Sequence, residues 1–265
     1  MKRATRRNPV VTYQDSRPPG STVCVEKYRR GWKTDLQVLQ DAMADLPAGG
    51  ELLLEQNYNY TISSGWSTDL STRPDVLING QGSTINGALV TGGPVVSLNG
   101  AVGGTTTLSA AITRRTKTLT VVSSAGFAAG DLVSIRSDSE AFNFDRADQF
   151  RQEMARVASV PNGTTIVLDA KTWNTYSITG HTVTVKQHTA VKNLKVRDLN
   201  IQGANTGSDQ SGLRVFAYDG AHLNGVKVNG VGTDGLVGQR GIGFTAVDCR
   251  SEKTNRTGVG YGFHV

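Results

Sequence analysis

Between residues 190 and 265 the chain repeats itself with no helical pattern. GLRVF at Gly212, GLVGQ at Gly235 and GVGYGF at Gly258 stand 23 residues apart in each step. The segments between them, VKNLKVRDLNIQG, AHLNGVKVNG and GFTAVDCRS, alternate apolar and polar residues around Leu199 and Ile201, Val226 and Val228, and Val247 and Cys249. A period of about two dozen residues lies in the range of solenoids, whose units bury their apolar faces only by stacking on neighbours. Without helical periodicity, each unit is one coil of short parallel strands with Gly and Asn at the corners. The same texture runs through PDVLINGQGSTINGALVTGGPVVSLNG from Pro74. Stacked aliphatic side chains then form a narrow core, which suits a chain with only 6% aromatic residues. Val76, Ile78, Val226 and Val247 are expected in it, with Cys249 a small buried residue.

The period is interrupted over residues 104–189. Leu108, Ile112, Leu119, Val121, Phe127, Leu132, Val133 and Ile135 alternate in the manner of hairpins. Asn162 and Gly163 form a hairpin turn between Val157/Val160 and Ile166/Leu168. Between these, SDSEAFNFDRADQFRQEMAR reads as a loop or short helix packed by Phe142, Phe144 and Phe150. Ahead of the coils, Leu36, Leu39, Met43 and Leu46 recur at helical spacing after a Thr34-Asp35 cap, and Pro47, Gly49 and Gly50 end the helix. The expected fold is all-β, a right-handed parallel β-helix with an N-terminal capping helix and an inserted small antiparallel β domain. Its divisions are a basic extended arm at 1–30, helix cap and first coils at 31–103, the insert at 104–189, and continuing coils at 190–265.

The net charge of +6 is concentrated in residues 1–33, which hold nine Lys and Arg against Asp15 and Glu26. The rest of the chain is close to neutral, so the basic arm, with Lys2, Arg3, Arg6 and Arg7, reads as an assembly contact. No recognised nucleic-acid module accompanies it, which counts against nucleic-acid binding. No apolar run is long enough to span a membrane or to serve as a secretory signal. Cys24 and Cys249 suggest no disulfide framework, and His181, His188, His222 and His264 lack spacing suited to zinc. No metal and no cofactor is expected.

KTDLQVLQDAMADLPAGGELLLEQNYNYTIS resembles the entry to the pectate-lyase-like parallel β-helices of phage tailspikes and minor tail proteins, where such a run supplies the helix capping the first coil. VLINGQGSTING is similar to the first full coil of that family. LSAAITRRTKTLTVVSSAGFAAGDLVSIRSDSE, with EMARVASV and TTIVLD, resembles the small β domain spliced in after the early coils. The resemblance implies a homotrimer in the virion, attached to other tail or baseplate proteins through its N-terminal arm and involved in recognising host surface polysaccharide. The alternative it implies is a depolymerase, a hydrolase or lyase acting on capsule or lipopolysaccharide. The chain stops at YGFHV in mid-coil by this phasing, so either something covers Val265 or the chain is part of a longer one.

Glycoside hydrolysis needs two carboxylates at a fixed separation, and a lyase needs a base beside a cation. Candidates are Asp209, Asp234, Asp219, Asp248 and Glu252, with Arg214 and Arg240 as glycan-binding cations. Asp209 and Asp234, 25 residues apart, stand near each other if one coil separates them, although both sit in turns where Asp caps its own backbone. GTDG at 232–235 is similar to the NTDG of polygalacturonases, but the Asp-Asp pair and Gly-His-Gly of that family are missing. His264 is expected to point outward. Trp32, Trp66 and Trp173 are isolated and suit a core or an interface.

Overall fold

The computed structural model describes residues 21–143, 146–204, 209–254 and 261–265. The chain winds through three faces in turn. β1 (Thr22–Cys24) opens the first face. Helix α1 (Asp35–Ala44) follows, begun by a capping box in which the Thr34 hydroxyl accepts from the Gln37 backbone N–H and the Gln37 side chain accepts from Thr34 N–H. Its C-terminal carbonyls at Met43 and Ala44 are met by the Arg73 guanidinium. Val38, Leu39, Ala42 and Met43 are buried, closing the end of the core.

The next coil comprises β2 (Glu51–Leu53), β3 (Asn59–Thr61) and β4 (Trp66–Asp69), and the one after it β5 (Leu77–Asn79), β6 (Thr84–Asn86) and β7 (Gly93–Asn99). The chain then leaves for a separate sheet. This contains β8 (Ala101–Thr107), β9 (Thr118–Thr120), β10 (Leu132–Asn143), β11 (Arg146–Asn162), β12 (Thr165–Leu168) and β13 (Val183–Thr189), ordered β8-β13-β10-β11-β12-β9 with every pairing antiparallel. Coiling resumes with β14 (Val191–Arg197), β15 (Asn200–Gln202) and β16 (Gln210–Phe216). It continues with β17 (Tyr218–Asn224), β18 (Lys227–Asn229) and β19 (Leu236–Gln239), and then with β20 (Ile242–Val247), β21 (Arg250–Glu252) and β22 (Phe263–His264). Every pairing within the three faces is parallel. The fold is a parallel β-helix, as the period requires.

Register places like on like along the axis. Leu52, Ile78, Val196 and Leu223 stack on the first face, and Tyr60, Ile85, Ile201 and Val228 on the second. Trp66, Val96, Leu213 and Leu236 stack on the third. All of these are buried in one apolar cluster, while Leu119, Val133, Ile135, Val157, Ile166 and Val185 form a second cluster inside the antiparallel sheet. Among the described residues no helix is long and apolar enough to cross a membrane.

The structure departs from the sequence-based expectation at four points. Residues 21–30 are not an extended arm: β1 pairs with β2, Val25 is buried, and Arg29 holds Asp35 and Glu55. The basic positions Lys2, Arg3, Arg6 and Arg7 lie outside the described residues. The polar run before Gln152 is neither loop nor helix, since β10 and β11 carry it as a long hairpin with register shifts after Arg136. Val247 is 48% exposed, because it pairs with Asn224 while Ala246 pairs with the inward Leu223. Asp248, at φ 51°, then turns the corner, so alternation does not carry from Val247 to the half-buried Cys249. Finally, Leu236 pairs with Phe263, 27 residues on, so the third repeat is phased on Gly262 rather than Gly258.

Candidate functional site

The acidic candidates are dispersed by the coil geometry. Pairing of Leu213 with Leu236 puts Asp234 level with Ser211, two residues past Asp209, so these two do not stack. The Asp234 carboxylate caps the following coil rather than its own turn. Oδ1 accepts from Tyr261 N–H at 3.0 Å and Oδ2 lies 3.0 Å from His264 Nδ1, the His264 ring being half exposed as expected. The backbone carbonyl of Asp209 accepts from Gly93.

Asp219 is held in a fork by Arg156, which donates from Nε at 3.1 Å and Nη2 at 2.5 Å, with Nη1 reaching Asp169 at 2.9 Å. That bridge joins the antiparallel sheet to the start of β17. Replacing Arg156 with Met is expected to cost on the order of 1 kcal/mol, since both partners keep some contact with water. Hydrogen exchange should then show faster opening between the two sheets while each keeps its own protection. Asp248 is exposed and occupies the left-handed corner that Asp198 (φ 51°) and Gly225 (φ 64°) occupy in earlier coils. Asp tolerates that conformation better than most residues, which explains its presence there without chemistry. Glu252 pairs with Arg250 on the same strand. None of the five carboxylates stands opposite another in the strand register.

The two cations behave differently. Arg214 points outward from β16 and donates to the Ser97 hydroxyl from Nε at 3.1 Å and Nη2 at 2.9 Å. Arg240 sits at the corner after β19 with φ 54°. Though 26 positions apart in sequence, their guanidinium carbons both lie 5.9 Å from the centre of the Phe216 ring. His188 of β13 meets that ring edge-on at 6.2 Å and bonds Ser134 Oγ through Nε2 at 2.9 Å. Burial pushes the Arg214 guanidinium below its ordinary value.

The second face carries the site that residue-by-residue reading missed. Its outward positions form two ladders, Thr84, Asn200, Lys227 and Arg250 beside Asn86, Gln202, Asn229 and Glu252. All of these but Asn86 line an open groove of about 280 Å³, lengthwise across four coils. Asn229 Nδ2 donates to Gln202 Oε1 at 3.0 Å, while Asn229 Oδ1 is buried without a hydrogen-bond partner among the described residues. The signal was present in DLNIQG and VKVNG: the polar residues flanking each buried aliphatic recur at one height per coil. Coils stack about 4.8 Å apart, so a chain of ring-sized units lying along the axis meets one amide or charge per step. Of the tryptophans, Trp66 is fully buried, while Trp32 and Trp173 are exposed.

These features define a coiled parallel β-helix with a spliced antiparallel sheet and a polar axial groove. No family model matches the chain, and no curated protein matches it in sequence. Solved structures do share the fold. The tailspike gp61 of Pseudomonas phage phi297 aligns with a TM-score of 0.63 and 17% identity over 84% of this chain and 41% of that one. The Gp54 tailspike of Acinetobacter baumannii bacteriophage AP22, solved in complex with A. baumannii capsular saccharide, aligns at 0.58 with 15% identity over 82% and 36%. The tailspike gp49 of Pseudomonas phage LKA1 aligns at 0.51 with 17% identity over 81% and 39%. The protein shares the parallel β-helix fold of these tailspikes, and it spans less than half the length of these structures.

Proposed function

We propose that the chain is part of a phage tail protein that recognises a host surface saccharide, and that the axial groove on the second face is where the saccharide lies. The observation that carries this reading is the groove itself: the amides of Asn200, Gln202 and Asn229 and the charges of Lys227 and Arg250 recur along it at the coil spacing. The shared fold supports it, since one of the similar tailspikes was solved with capsular saccharide. The arm with Lys2, Arg3, Arg6 and Arg7 docks the protein on the particle, and three copies assemble, as the resemblance to tail proteins implies. Cleavage of the saccharide is a second reading, favoured by the presence of Glu252 in the groove.

Immobilised protein exposed to a panel of purified bacterial surface polysaccharides tests the site. One or more polysaccharides should bind, and Asn229→Ala or Lys227→Gln should weaken that binding about tenfold, equivalent to about 1.4 kcal/mol. Binding that both variants leave intact places the saccharide elsewhere. New reducing ends or unsaturated uronates in the same samples, lost in Glu252→Gln, would establish cleavage.

A further inference from the structure

We propose that the Arg214, Phe216 and Arg240 cluster, on the third face beside the antiparallel sheet, binds the carboxylate of an acidic sugar. Arg29, Arg156 and Arg197 each hold a carboxylate of the protein. Arg214 and Arg240 hold none among the described residues, although both are only partly exposed and converge on one ring. A guanidinium partly withdrawn from water loses hydration, a cost that an anion held against it offsets.

Several features fix the cluster in that arrangement. Ser97 accepts two of the Arg214 donors, and Asn99 Oδ1 lies 3.4 Å from Nη2, which orients the guanidinium across the ring. Ser97 is itself set by a hydrogen bond to Asn99 at 2.8 Å. Arg240 occupies the left-handed corner (φ 54°) that Ala217 (φ 51°) occupies in the coil before it, which sets its side chain beside Phe216. A guanidinium fork matches a planar carboxylate with two parallel hydrogen bonds, and the apolar ring beneath suits the carbon face of a pyranose. A sugar acid satisfies both halves of the site, whereas a simple anion satisfies only one.

The assignment of a sugar rests on the saccharide-binding reading, but the site is distinct from the groove, so the two can fail separately. The test is an NMR titration of the full chain, following the arginine Nε–Hε resonances with sodium glucuronate, glucose and sodium acetate. Assignment comes from Arg214→Lys and Arg240→Lys. Glucuronate should shift both resonances and saturate, glucose should shift neither, and acetate should bind at least tenfold more weakly. Arg240→Gln should weaken glucuronate about tenfold as read at Arg214, and Lys227→Gln in the groove should leave it unchanged. Failure of glucuronate to move either resonance overturns the proposal, as does acetate binding as tightly as glucuronate. Loss of the response in Lys227→Gln overturns it too, because the anion would then lie in the groove.

Discussion

Replacement of Val226 by Asp is expected to abolish soluble folded protein, while the same change at Val247 leaves a protein that melts within a few degrees of the parent. Val226 is fully buried just after the left-handed corner at Gly225, and it packs in the single apolar cluster that runs the length of the β-helix. An aspartate there is an unpaired charge with no water, costing several kcal/mol against a total stability of typically about 5–15 kcal/mol. Each coil is also supported only by its neighbours, so one unstacked coil releases those beyond it. Val247 points outward in the row of Asn79, Arg197 and Asn224, where a charge stays hydrated and changes stability by at most about 0.5 kcal/mol. Soluble yield and the far-ultraviolet strand signal read both outcomes. A folded Val226→Asp protein would overturn the inward placement of the corner between β17 and β18.

The contrast between those two valines shows what the sequence reveals and what it hides. Apolar alternation identifies strands, and recurrence identifies coils, because both are local and survive without coordinates. Phase across a corner is not local. Asp248 looks like any polar residue between Val247 and Cys249, yet its left-handed backbone resets which side of the strand faces the core. Coil length is hidden for a related reason. The step from Leu213 to Leu236 is 23 residues, but from Leu236 to Phe263 it is 27, because ten residues separate β21 from β22 where six separate β18 from β19. Since a solenoid tolerates turns of different length on its surface, spacing alone misplaced the last repeat. The polar run ahead of Gln152 misleads through composition, because β10 and β11 remain strands on the strength of cross-strand pairing.

The site follows the same logic. Charged residues of the right kind are visible in a sequence, but a pair is made by stacking, and stacking depends on turn lengths. Asp209 and Asp234 miss each other by two positions, and Asp219 is taken by Arg156 from the other sheet. Arg214 and Arg240 both lie over Phe216 only because β19 pairs with β16, which sets Gln239 beside Phe216 and Arg240 one residue further on. The groove was hidden by its ordinary composition. Asn, Gln and Lys beside strand aliphatics look like generic solvent-facing positions until register lines them up.

Acidification is expected to weaken the junction between the β-helix and the antiparallel sheet, with His188 responsible. Its side chain is 1% exposed, Nε2 is bonded to Ser134 Oγ, and Nδ1 has no partner among the described residues. Burial first, and then the charges of Arg240 and Lys186, lower its pKa from 6.5 to about 4. The unfolded chain therefore takes up a proton at higher pH than the folded one. Stability is full above about pH 6.5, declines as the pH falls toward about 4, and then levels off. At 1.36 kcal/mol for each pH unit, the loss is at most about 3 kcal/mol. Urea unfolding followed from pH 7.5 to 4 should show that decline in the parent and a flatter dependence in His188→Gln. Equal slopes in the two proteins would remove His188 from the account. Arg240→Gln gives an independent arm, because removing that positive charge raises the folded pKa and should narrow the decline without abolishing it. The same arginine would then be seen from two sides, one proton expelled from His188 and one carboxylate drawn to its guanidinium beside Phe216, both consequences of a cation held at this seam with no carboxylate of the described residues beside it.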